Sequence, residues 1–197
     1  MKRGVKRGVK RGSLRVIAGR AGGLRLASPP RARPTTDRVR EAVFAALASD
    51  VVNASVLDLY AGSGALAIEA LSRGARRAVL VERDARAADI CRRNLRTTHL
   101  TDLARVQHSS VSAFLRGDPP EEAPFDLVFS DPPYDAPAAE VEQVLERLTG
   151  QRWLAPAAKV VVERSVHNSA SQERPSGLVV VWQREYGDTL ISLLQLA

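Results

Sequence analysis

The amino-acid sequence predicts an α/β fold, in which one mostly parallel sheet of seven strands is closed by an antiparallel hairpin near the carboxyl end. Residues 56–75 have the order strand, glycine loop, helix. Residues 126–130 form an apolar run that ends at an acid and two prolines, which cannot extend a strand. Residues 178–183 and 189–196 flank a Tyr-Gly turn, as the strands of a hairpin do. With 197 residues, of which 45% are hydrophobic, the chain can bury one full α/β core.

Positive charge is concentrated at the amino end. Residues 1–40 hold 13 Lys and Arg against one acid, whereas residues 41–197 hold 16 basic and 21 acidic side chains. Such a front-loaded basic segment is typical of a phosphate-binding arm, so the charge favours a nucleic-acid partner. Residues 1–13 repeat Lys-Arg-Gly and are too polar to bury, which predicts a disordered basic tail. A tail that contacts RNA and a tail that serves only solubility remain alternatives.

Residues 14–33 predict a small hairpin extension ahead of the main domain. Two short apolar runs flank a turn that contains three glycines. Arg15, Arg20 and Arg25 lie along this hairpin, and guanidinium groups bind phosphate oxygens in bidentate fashion. The pattern predicts RNA binding by these three arginines, with a solvated surface hairpin as the alternative.

The main domain is expected to span residues 34–197 and to open with a capped helix. Pro34 and three cap-type residues precede a helical pattern with Val39, Val43 and Leu47 on one face. We expect this face to pack on the sheet.

The next motif predicts a nucleoside site. A buried strand leads to Gly62 and Gly64, and a second strand ends at Glu82, near the spacing at which an acid binds ribose hydroxyls. Gly62-x-Gly64-x-x-Ala67 also fits a dinucleotide fingerprint, so an NAD enzyme is a rival hypothesis. Asp58 argues against it, because a carboxylate that points into the site would repel a pyrophosphate and suit a cationic ammonium.

The remaining elements follow in order. Asp84 begins a helix that extends to about residue 98, residues 103–107 form a strand, and a short helix begins at residues 109–111. Asp135 begins a helix whose apolar residues repeat at i, i+3, i+4 and i+7, and residues 159–163 form the next buried strand.

The stretch from Asp131 to Tyr134 predicts a rigid pocket for a planar amino group. A carboxylate at the carboxyl end of a strand in an open α/β sheet lies in the crevice where ligands bind, and Tyr134 offers a flat face beside it. A capped loop with a packed tyrosine is the plain alternative for this motif alone.

Together these motifs resemble the class I S-adenosylmethionine methyltransferases, which have a Rossmann-like fold. In that resemblance Asp58 to Gly64 is the glycine motif, Glu82 the ribose acid and Asp131 to Tyr134 the amino-methylating motif. With residues 15–26, 33–47 and 185–190, the chain from residue 14 to 197 is similar to the RsmD-type bacterial methyltransferases of guanine N2 in small-subunit ribosomal RNA.

The resemblance implies S-adenosyl-L-methionine as the cofactor and assigns two groups of residues. Thr36 and Arg38 are expected near its methionine end, and Ser110 and Val111 near its adenine. The full implied cofactor-binding set is Thr36, Arg38, Asp58, Tyr60, Gly62, Ser63, Gly64, Glu82, Arg83, Ser110 and Val111. The implied catalytic set is Asp131, Pro132, Pro133 and Tyr134.

The implied reaction is methylation of the exocyclic N2 amine of a guanine in 16S ribosomal RNA, within a small subunit or an assembly intermediate. Asp131 and the Pro132 carbonyl would accept the amine protons while Tyr134 stacks on the base. Three alternatives stay open: adenine N6 methylation of DNA or RNA, methylation of protein glutamine, which an Asn-Pro-Pro-Tyr motif serves, and a noncatalytic RNA-binding ribosome assembly factor. Asp131 in place of Asn, and a small target-recognition region, argue against the first two.

The cysteine and histidine content indicates the cellular compartment and whether a metal site is expected. Cys91 is the single cysteine and cannot form an intramolecular disulfide, and no apolar run is long enough for a membrane helix. We therefore predict a cytoplasmic protein with no membrane contact, and we expect a monomer. His99, His108 and His167 are scattered, so no metal site is predicted.

Overall fold

The computed structural model describes residues 14–29, 37–133, 136–150, 152–166 and 177–197. The predicted basic tail, the end of the predicted hairpin extension, Thr36, Tyr134 and Asp135 lie outside these ranges. In chain order the elements are α1 Asp37–Leu47, β1 Ser55–Leu59, α2 Ala65–Ser72, β2 Arg77–Glu82, α3 Ala85–Thr97, β3 Ala104–His108, α4 Val111–Phe114, β4 Phe125–Ser130, α5 Ala138–Gly150, β5 Leu154–Ser165, β6 Leu178–Tyr186 and β7 Thr189–Leu196. Short 3-10 turns cover Ala48–Val51 and Thr101–Leu103.

The seven strands form one sheet in the order β3-β2-β1-β4-β5-β7-β6. The first five pair in parallel, whereas β7 is antiparallel to both β5 and β6. The predicted mostly parallel sheet with an antiparallel carboxyl-terminal pair is therefore confirmed. The strand order reverses between β1 and β4, and in open α/β sheets ligands bind outside the carboxyl ends of the strands at such a point.

Helices cover both faces of the sheet, which explains why the central strands are almost wholly apolar. On one face α1, α2 and α3 pack on the sheet, with Phe44 of α1 in tilted contact with Phe129 of β4 at 5.8 Å between ring centroids. On the other face α4 and α5 cover the sheet, and Trp153 stacks with Phe125. All five residues of β1 are buried between these two cores.

Residues 14–28, which we call the amino-terminal arm, dock against α2 and α3. An antiparallel bridge joins Arg15 to Arg25, so the predicted hairpin pairing is present at its ends. Its inner side is buried: the Glu69 carboxylate accepts the N–H groups of Ile17 and Ala18 at 2.7 and 3.0 Å. At Gly19 an added Cβ would lie 1.9 Å from the Ser72 carbonyl oxygen, so only glycine fits this contact. The inner side of the arm is therefore part of the helical layer, while Arg15, Arg20 and Arg25 are exposed.

Within the described ranges, no helix combines the length and the apolar composition that crossing a bilayer requires.

Candidate active site

A cavity of about 1160 Å³ opens at the carboxyl edge of the parallel strands. Side chains from the ends of β1, β2, β4 and β5 line it, together with residues of α1, α4, α5 and the β6–β7 turn. The sequence-predicted residues that line it are Arg38, Asp58, Tyr60, Gly62, Ser63, Glu82, Arg83, Ser110, Val111, Asp131, Pro132 and Pro133. These residues meet because the strands are parallel: the carboxyl ends of neighbouring parallel strands lie at the same edge of the sheet.

Glu82 holds the glycine loop in place. One carboxylate oxygen accepts the Gly62 N–H at 2.8 Å, and the other accepts the Asp84 N–H at 2.8 Å. Each carboxylate oxygen has a further lone pair, so both can still accept a hydroxyl of a ligand. Glu82 therefore serves the loop and remains able to bind a ribose.

The two loop glycines are required for different reasons. Both have left-handed backbones, with φ of +56° at Gly62 and +77° at Gly64. An added Cβ at Gly64 would lie 2.9 Å from Leu80 Cδ2, whereas at Gly62 it would meet nothing closer than 3.9 Å. Gly64 thus lies behind the cavity and lets the loop pack on the sheet, while Gly62 leaves the loop backbone open to a ligand.

Asp58 is a buried carboxyl at the centre of an acidic cluster. Its oxygen accepts the Ala67 N–H at 3.1 Å. Burial raises the pKa of Asp58 to about 8, and the charges of Asp131 and Glu82 add to that effect. Three carboxyl groups therefore act on one another here, and a cationic ligand would relieve their repulsion.

Tyr60 follows β1 with a left-handed backbone, φ +62°, which is uncommon for a residue with a bulky side chain. Its hydroxyl donates to the Glu140 carboxylate of α5 at 3.2 Å. Burial and then the Glu140 charge raise the pKa of Tyr60 well above its usual range. The pair joins the glycine motif to the first turn of α5 across the cavity.

Asp131, Pro132 and Pro133 follow β4 and line the cavity between the loop side and β5. Asp131 and Pro132 are half-buried, and the Pro133 carbonyl accepts the Ala136 N–H at 2.8 Å. This turn, residues 131–133, which we call the acidic turn, is therefore tied to the chain just before α5. Tyr134 lies outside the described residues, so its predicted stacking remains a prediction.

Ser110 and Val111 reach the cavity because a short helix starts there. The Ser110 hydroxyl caps α4 by accepting the Ala113 N–H at 3.2 Å. The Ser109 N–H donates to the Glu82 carbonyl at 3.0 Å, which ties this turn to the end of β2.

The three arginines predicted to bind RNA lie on the arm and do not line the cavity. All three are exposed. Arg15 pairs with Asp37 at 3.2 Å, and the Arg20 guanidinium donates to the Leu71 carbonyl at 3.2 Å. Arg25 makes neither kind of contact with any described residue, so its side chain is the most available of the three.

Sequence reasoning missed the cavity wall beyond Asp131. This wall consists of residues 163–165 at the end of β5 and residues 186–189 at the β6–β7 turn, and we call it the acceptor wall. The available signal was the parallel pairing of β4 with β5, since the acidic turn and the end of β5 must then share an edge. Cavity residues that were also missed include Leu14, Ser28, Arg40, Ser112 and Glu140.

Arg164 of the acceptor wall is half-buried, and burial lowers its pKa while the charge of Glu142 acts in the opposite direction.

Among the residues that the structure describes, no group of three or more His, Cys, Asp or Glu side chains is placed to hold a metal ion.

Comparison with known proteins gives a consistent result. The family model described as conserved hypothetical protein 95 matches residues 14–195. The ribosomal RNA small subunit methyltransferase D of Escherichia coli K12 is 38% identical over 185 residues, covering 87% of this chain and 90% of that protein. The protein of the same name from Haemophilus influenzae is 37% identical over 153 residues, covering 76% and 78%.

Solved structures agree with the sequence relatives. The solved structure of the Escherichia coli methyltransferase yhhF matches with a TM-score of 0.84 at 36% identity. The match covers 94% of this chain and 98% of the yhhF chain. An RNA methyltransferase from Salinibacter ruber, solved with S-adenosyl-L-homocysteine, shares the fold with a TM-score of 0.62 at 16% identity, covering 83% and 93%.

Proposed function

Because the chain belongs to the ribosomal RNA small subunit methyltransferase D family, whose model is described as conserved hypothetical protein 95, we propose that it methylates the exocyclic N2 amine of a guanine in 16S ribosomal RNA. Membership confirms the family that the motifs indicated. One observation carries the finer proposal: Asp131 and its two prolines line the same cavity as the glycine loop and Glu82. An amine and a nucleoside cofactor can therefore meet in one space.

The residues present fit S-adenosylmethionine better than NAD. When bound, S-adenosylmethionine supplies an electrophilic methyl group on a positively charged sulfur. Burial first, and then the charges of Asp131 and Glu82, raise the pKa of Asp58, so a sulfonium or an ammonium beside these three carboxyl groups would be favoured. The pyrophosphate of NAD would add two more negative charges to this cluster.

The cavity residues divide into groups that would hold the two halves of the cofactor. Glu82 accepts the ribose hydroxyls, and Asp58 faces the ammonium group. Gly62 and Ser63 bring the loop backbone close to the ligand, since nothing near Gly62 fills that space. The remaining proposed contacts are Arg38 and Thr36 at the methionine end, Tyr60 and Gly64 supporting the loop, and Arg83, Ser110 and Val111 around the adenine.

The acidic turn orients the nucleophile. The lone pair of the guanine N2 amine is delocalised into the ring, so the protein must favour the tetrahedral nitrogen of the transition state. The Asp131 carboxylate and the Pro132 carbonyl accept the two amine protons, and Pro133 keeps the turn stiff. Asp131 then accepts the proton that the methylated nitrogen releases. Positioning of this kind can supply roughly 7–11 kcal/mol of a barrier.

The target base must leave its stack to reach Asp131, which implies a loop nucleotide or a flipped one. The exposed arginines of the arm, Arg25 foremost because its side chain has no described partner, bind backbone phosphates while the base enters. We propose that the partner is 16S ribosomal RNA in a small subunit or an assembly intermediate and that the protein acts as a cytoplasmic monomer.

The test is a transfer assay with methyl-labelled S-adenosylmethionine. The full-length protein is incubated with small subunits, naked 16S RNA, DNA or bulk protein, and the labelled polymer is digested to nucleosides or amino acids. We expect label in RNA as N2-methylguanosine. Label in N6-methyladenine, in DNA or in protein would contradict the guanine assignment, and no label in any polymer would favour a noncatalytic assembly factor.

A further inference from the structure

The acceptor wall contains an arginine that the proposed mechanism does not use. Arg164 lies near the end of β5, and β5 pairs with β4 so that Ser130 is opposite Val162. Two residues beyond Val162 the chain reaches Arg164, at the level of the acidic turn. Across the edge the order is therefore Glu82 on β2, the glycine loop on β1, Asp131 after β4 and Arg164 on β5. Arg164 and the cofactor-binding acids flank Asp131 on opposite sides.

The guanidinium of Arg164 is available to a ligand. It makes no hydrogen bond and no ion pair within 4.0 Å with any residue in the described ranges, and it is half-buried. Arg40, which also lines the cavity, differs from it in having hydrogen bonds: its Nη2 donates to the Arg15 carbonyl and to the Asp37 carboxylate, both at 2.7 Å, while its Nε and Nη1 have no hydrogen-bond partner among the described residues. The charge of Glu142 acts on this guanidinium but does not replace the hydrogen bonds that it gives up to burial, and a ligand with acceptor oxygens or nitrogens would supply them.

We propose that Arg164 reads the O6 and N7 edge of the target guanine and so selects guanine over adenine, an inference that rests on the proposed function. The N2 amine and O6 flank the same ring nitrogen, N1. A group that reads O6 must therefore lie beside the group that holds the amine, and neighbouring strand ends, about 4.8 Å apart, are placed in this way. Arginine is the side chain whose two donors match O6 and N7 of guanine. Adenine presents an amine at position 6, so its donor would face the donors of Arg164.

A guanidinium at this place could instead bind a phosphate of the flipped nucleotide, and the two roles predict different kinetics. A phosphate contact contributes equally to every base that enters the pocket. A contact to O6 contributes only when O6 is present. Under the proposal the loss caused by removing the arginine therefore already contains the loss caused by removing O6, so both changes together cost no more than the arginine change alone. Under the phosphate alternative the two losses are independent and multiply.

The experiment combines Arg164 variants with a base analogue. After the methylated guanine is mapped, small subunits are assembled from 16S RNA that carries either guanine or 2-aminopurine at that position; 2-aminopurine keeps the N2 amine and lacks O6. The enzymes are the wild type, Arg164→Met, Arg164→Lys and the control Arg147→Met. Arg147 is exposed in the last turn of α5, which runs back from the cavity to the opposite edge of the sheet.

We expect wild-type kcat/KM to fall roughly 10- to 100-fold on 2-aminopurine RNA, the discrimination of a bidentate arginine contact. Arg164→Met should show at least this fall on guanine RNA, because it loses the N7 contact as well as the O6 contact, and little further loss on 2-aminopurine RNA. Arg164→Lys, which keeps the charge without the fork, should recover only part of the discrimination. Arg147→Met should behave like the wild type on both RNAs.

Two results would overturn the inference: a wild-type enzyme that does not discriminate against 2-aminopurine, or losses that multiply when both changes are made, so that Arg164→Met still rejects 2-aminopurine. Cofactor affinity and the thermal unfolding midpoint of each variant report on the fold, and Arg164→Lys provides the same kinetic comparison if Arg164→Met is unstable. Failure of the proposed function is distinct, because the wild type would then form no N2-methylguanosine. Failure of the inference leaves that product in place.

Discussion

The two ends of the cavity differ in how their polar groups are satisfied. The cofactor end consists of the glycine loop, Asp58 and Glu82. There the Glu82 carboxylate accepts two backbone N–H groups and the Asp58 carboxyl accepts one. The Ser63 carbonyl accepts the Asn94 side-chain N–H at 2.8 Å, so the loop is also held from behind. On the acceptor wall, Arg164 has no described hydrogen bond and the Tyr186 hydroxyl is buried without a partner among the described residues.

The polar groups at the cofactor end are therefore held in place before a ligand binds, whereas those of the acceptor wall acquire hydrogen bonds when the ligand binds. Hydrogen bonds within the chain fix the positions of the groups at the cofactor end, which reduces the ordering cost of binding. The polar groups of the acceptor wall that have no hydrogen-bond partner among the described residues have the opposite character, because an incoming molecule can satisfy them. The acidic turn lies between the two ends and should show the largest effect when it is changed.

Asp131→Asn tests the turn itself. The amide cannot accept the released proton and presents a donor beside the amine, so we expect kcat to fall about 100- to 1000-fold, the range seen when one preorganised polar group is removed. Single-turnover methyl transfer to small subunits measures the change. Cofactor binding, followed by calorimetry, should not weaken in parallel.

The control for this experiment is Arg147→Met, on the opposite edge of the sheet. Near-normal turnover by Asp131→Asn would show that the carboxylate does not orient the amine. A loss of cofactor affinity as large as the loss of kcat would show instead that the turn belongs to the cofactor end, and the division of the cavity would then be wrong.

Gly64→Ala and Gly62→Ala form a matched pair that sharpens the description of the cofactor end. Both substitutions put a Cβ on a left-handed backbone, but only at Gly64 does that Cβ come within 2.9 Å of Leu80 Cδ2. We expect Gly64→Ala to lower the free energy of unfolding by about 1–3 kcal/mol, from overpacking together with backbone strain. Gly62→Ala should cost less stability, because only the strain term applies.

Urea denaturation and cofactor titration of both variants separate packing from ligand access. Gly62→Ala should lose cofactor affinity out of proportion to its stability loss, since its Cβ occupies the open side of the loop. Equal stability losses in the two variants would contradict the distinction between them.

The contrast between the two ends also explains what the sequence could predict. The sheet, its mostly parallel character and the residues of the glycine loop could be predicted from local patterns, because a buried strand and a tight turn each require particular residue types nearby. Arg164 and Glu140 carry no such local pattern, and only the pairing of β4 with β5 and the return of α5 bring them to the cavity.

The arm was predicted only in part, for the same reason. Its turn glycines and apolar pairs indicate a hairpin, but the partners that dock it are distant in sequence. Asn94 of α3 accepts the Ala27 N–H at 2.8 Å and donates to both the Ala27 and Ser63 carbonyls. A single asparagine in a helix pattern gives no sign that it joins an arm to a loop, so this link could not be read from the sequence.

Cofactor affinity should depend on pH through Asp58. Because its pKa is raised to about 8, the carboxyl of the unliganded protein keeps its proton until the pH passes that value. A cationic cofactor favours the ionised form, so affinity should rise with pH and level off above about 8. One proton limits the slope to about tenfold per pH unit. Binding titrations between pH 6 and pH 9 measure it.

Asp58→Asn is the control for the pH profile, because the cofactor's own amine titrates in the same way with both proteins. The ratio of the two affinities therefore isolates the carboxyl. A ratio that does not change with pH would mean that cofactor binding does not change the protonation of Asp58, and that the cofactor does not displace a proton from this carboxyl.

The smallest effect is expected at the acceptor wall, from Tyr186→Phe. The hydroxyl is buried and has no hydrogen-bond partner among the described residues, so removing it should cost no stability and could add up to about 1 kcal/mol to the free energy of unfolding. The ring keeps its contact with Arg184, whose guanidinium lies 5.7 Å from the ring centroid. Tyr60→Phe is the matched control: it removes a hydroxyl that donates to Glu140 and should lower stability by roughly 0.5–1.5 kcal/mol. Urea denaturation of the two variants gives the comparison. A Tyr186→Phe protein less stable than Tyr60→Phe would show that this hydroxyl already has a partner, and the acceptor wall would then be as internally satisfied as the cofactor end.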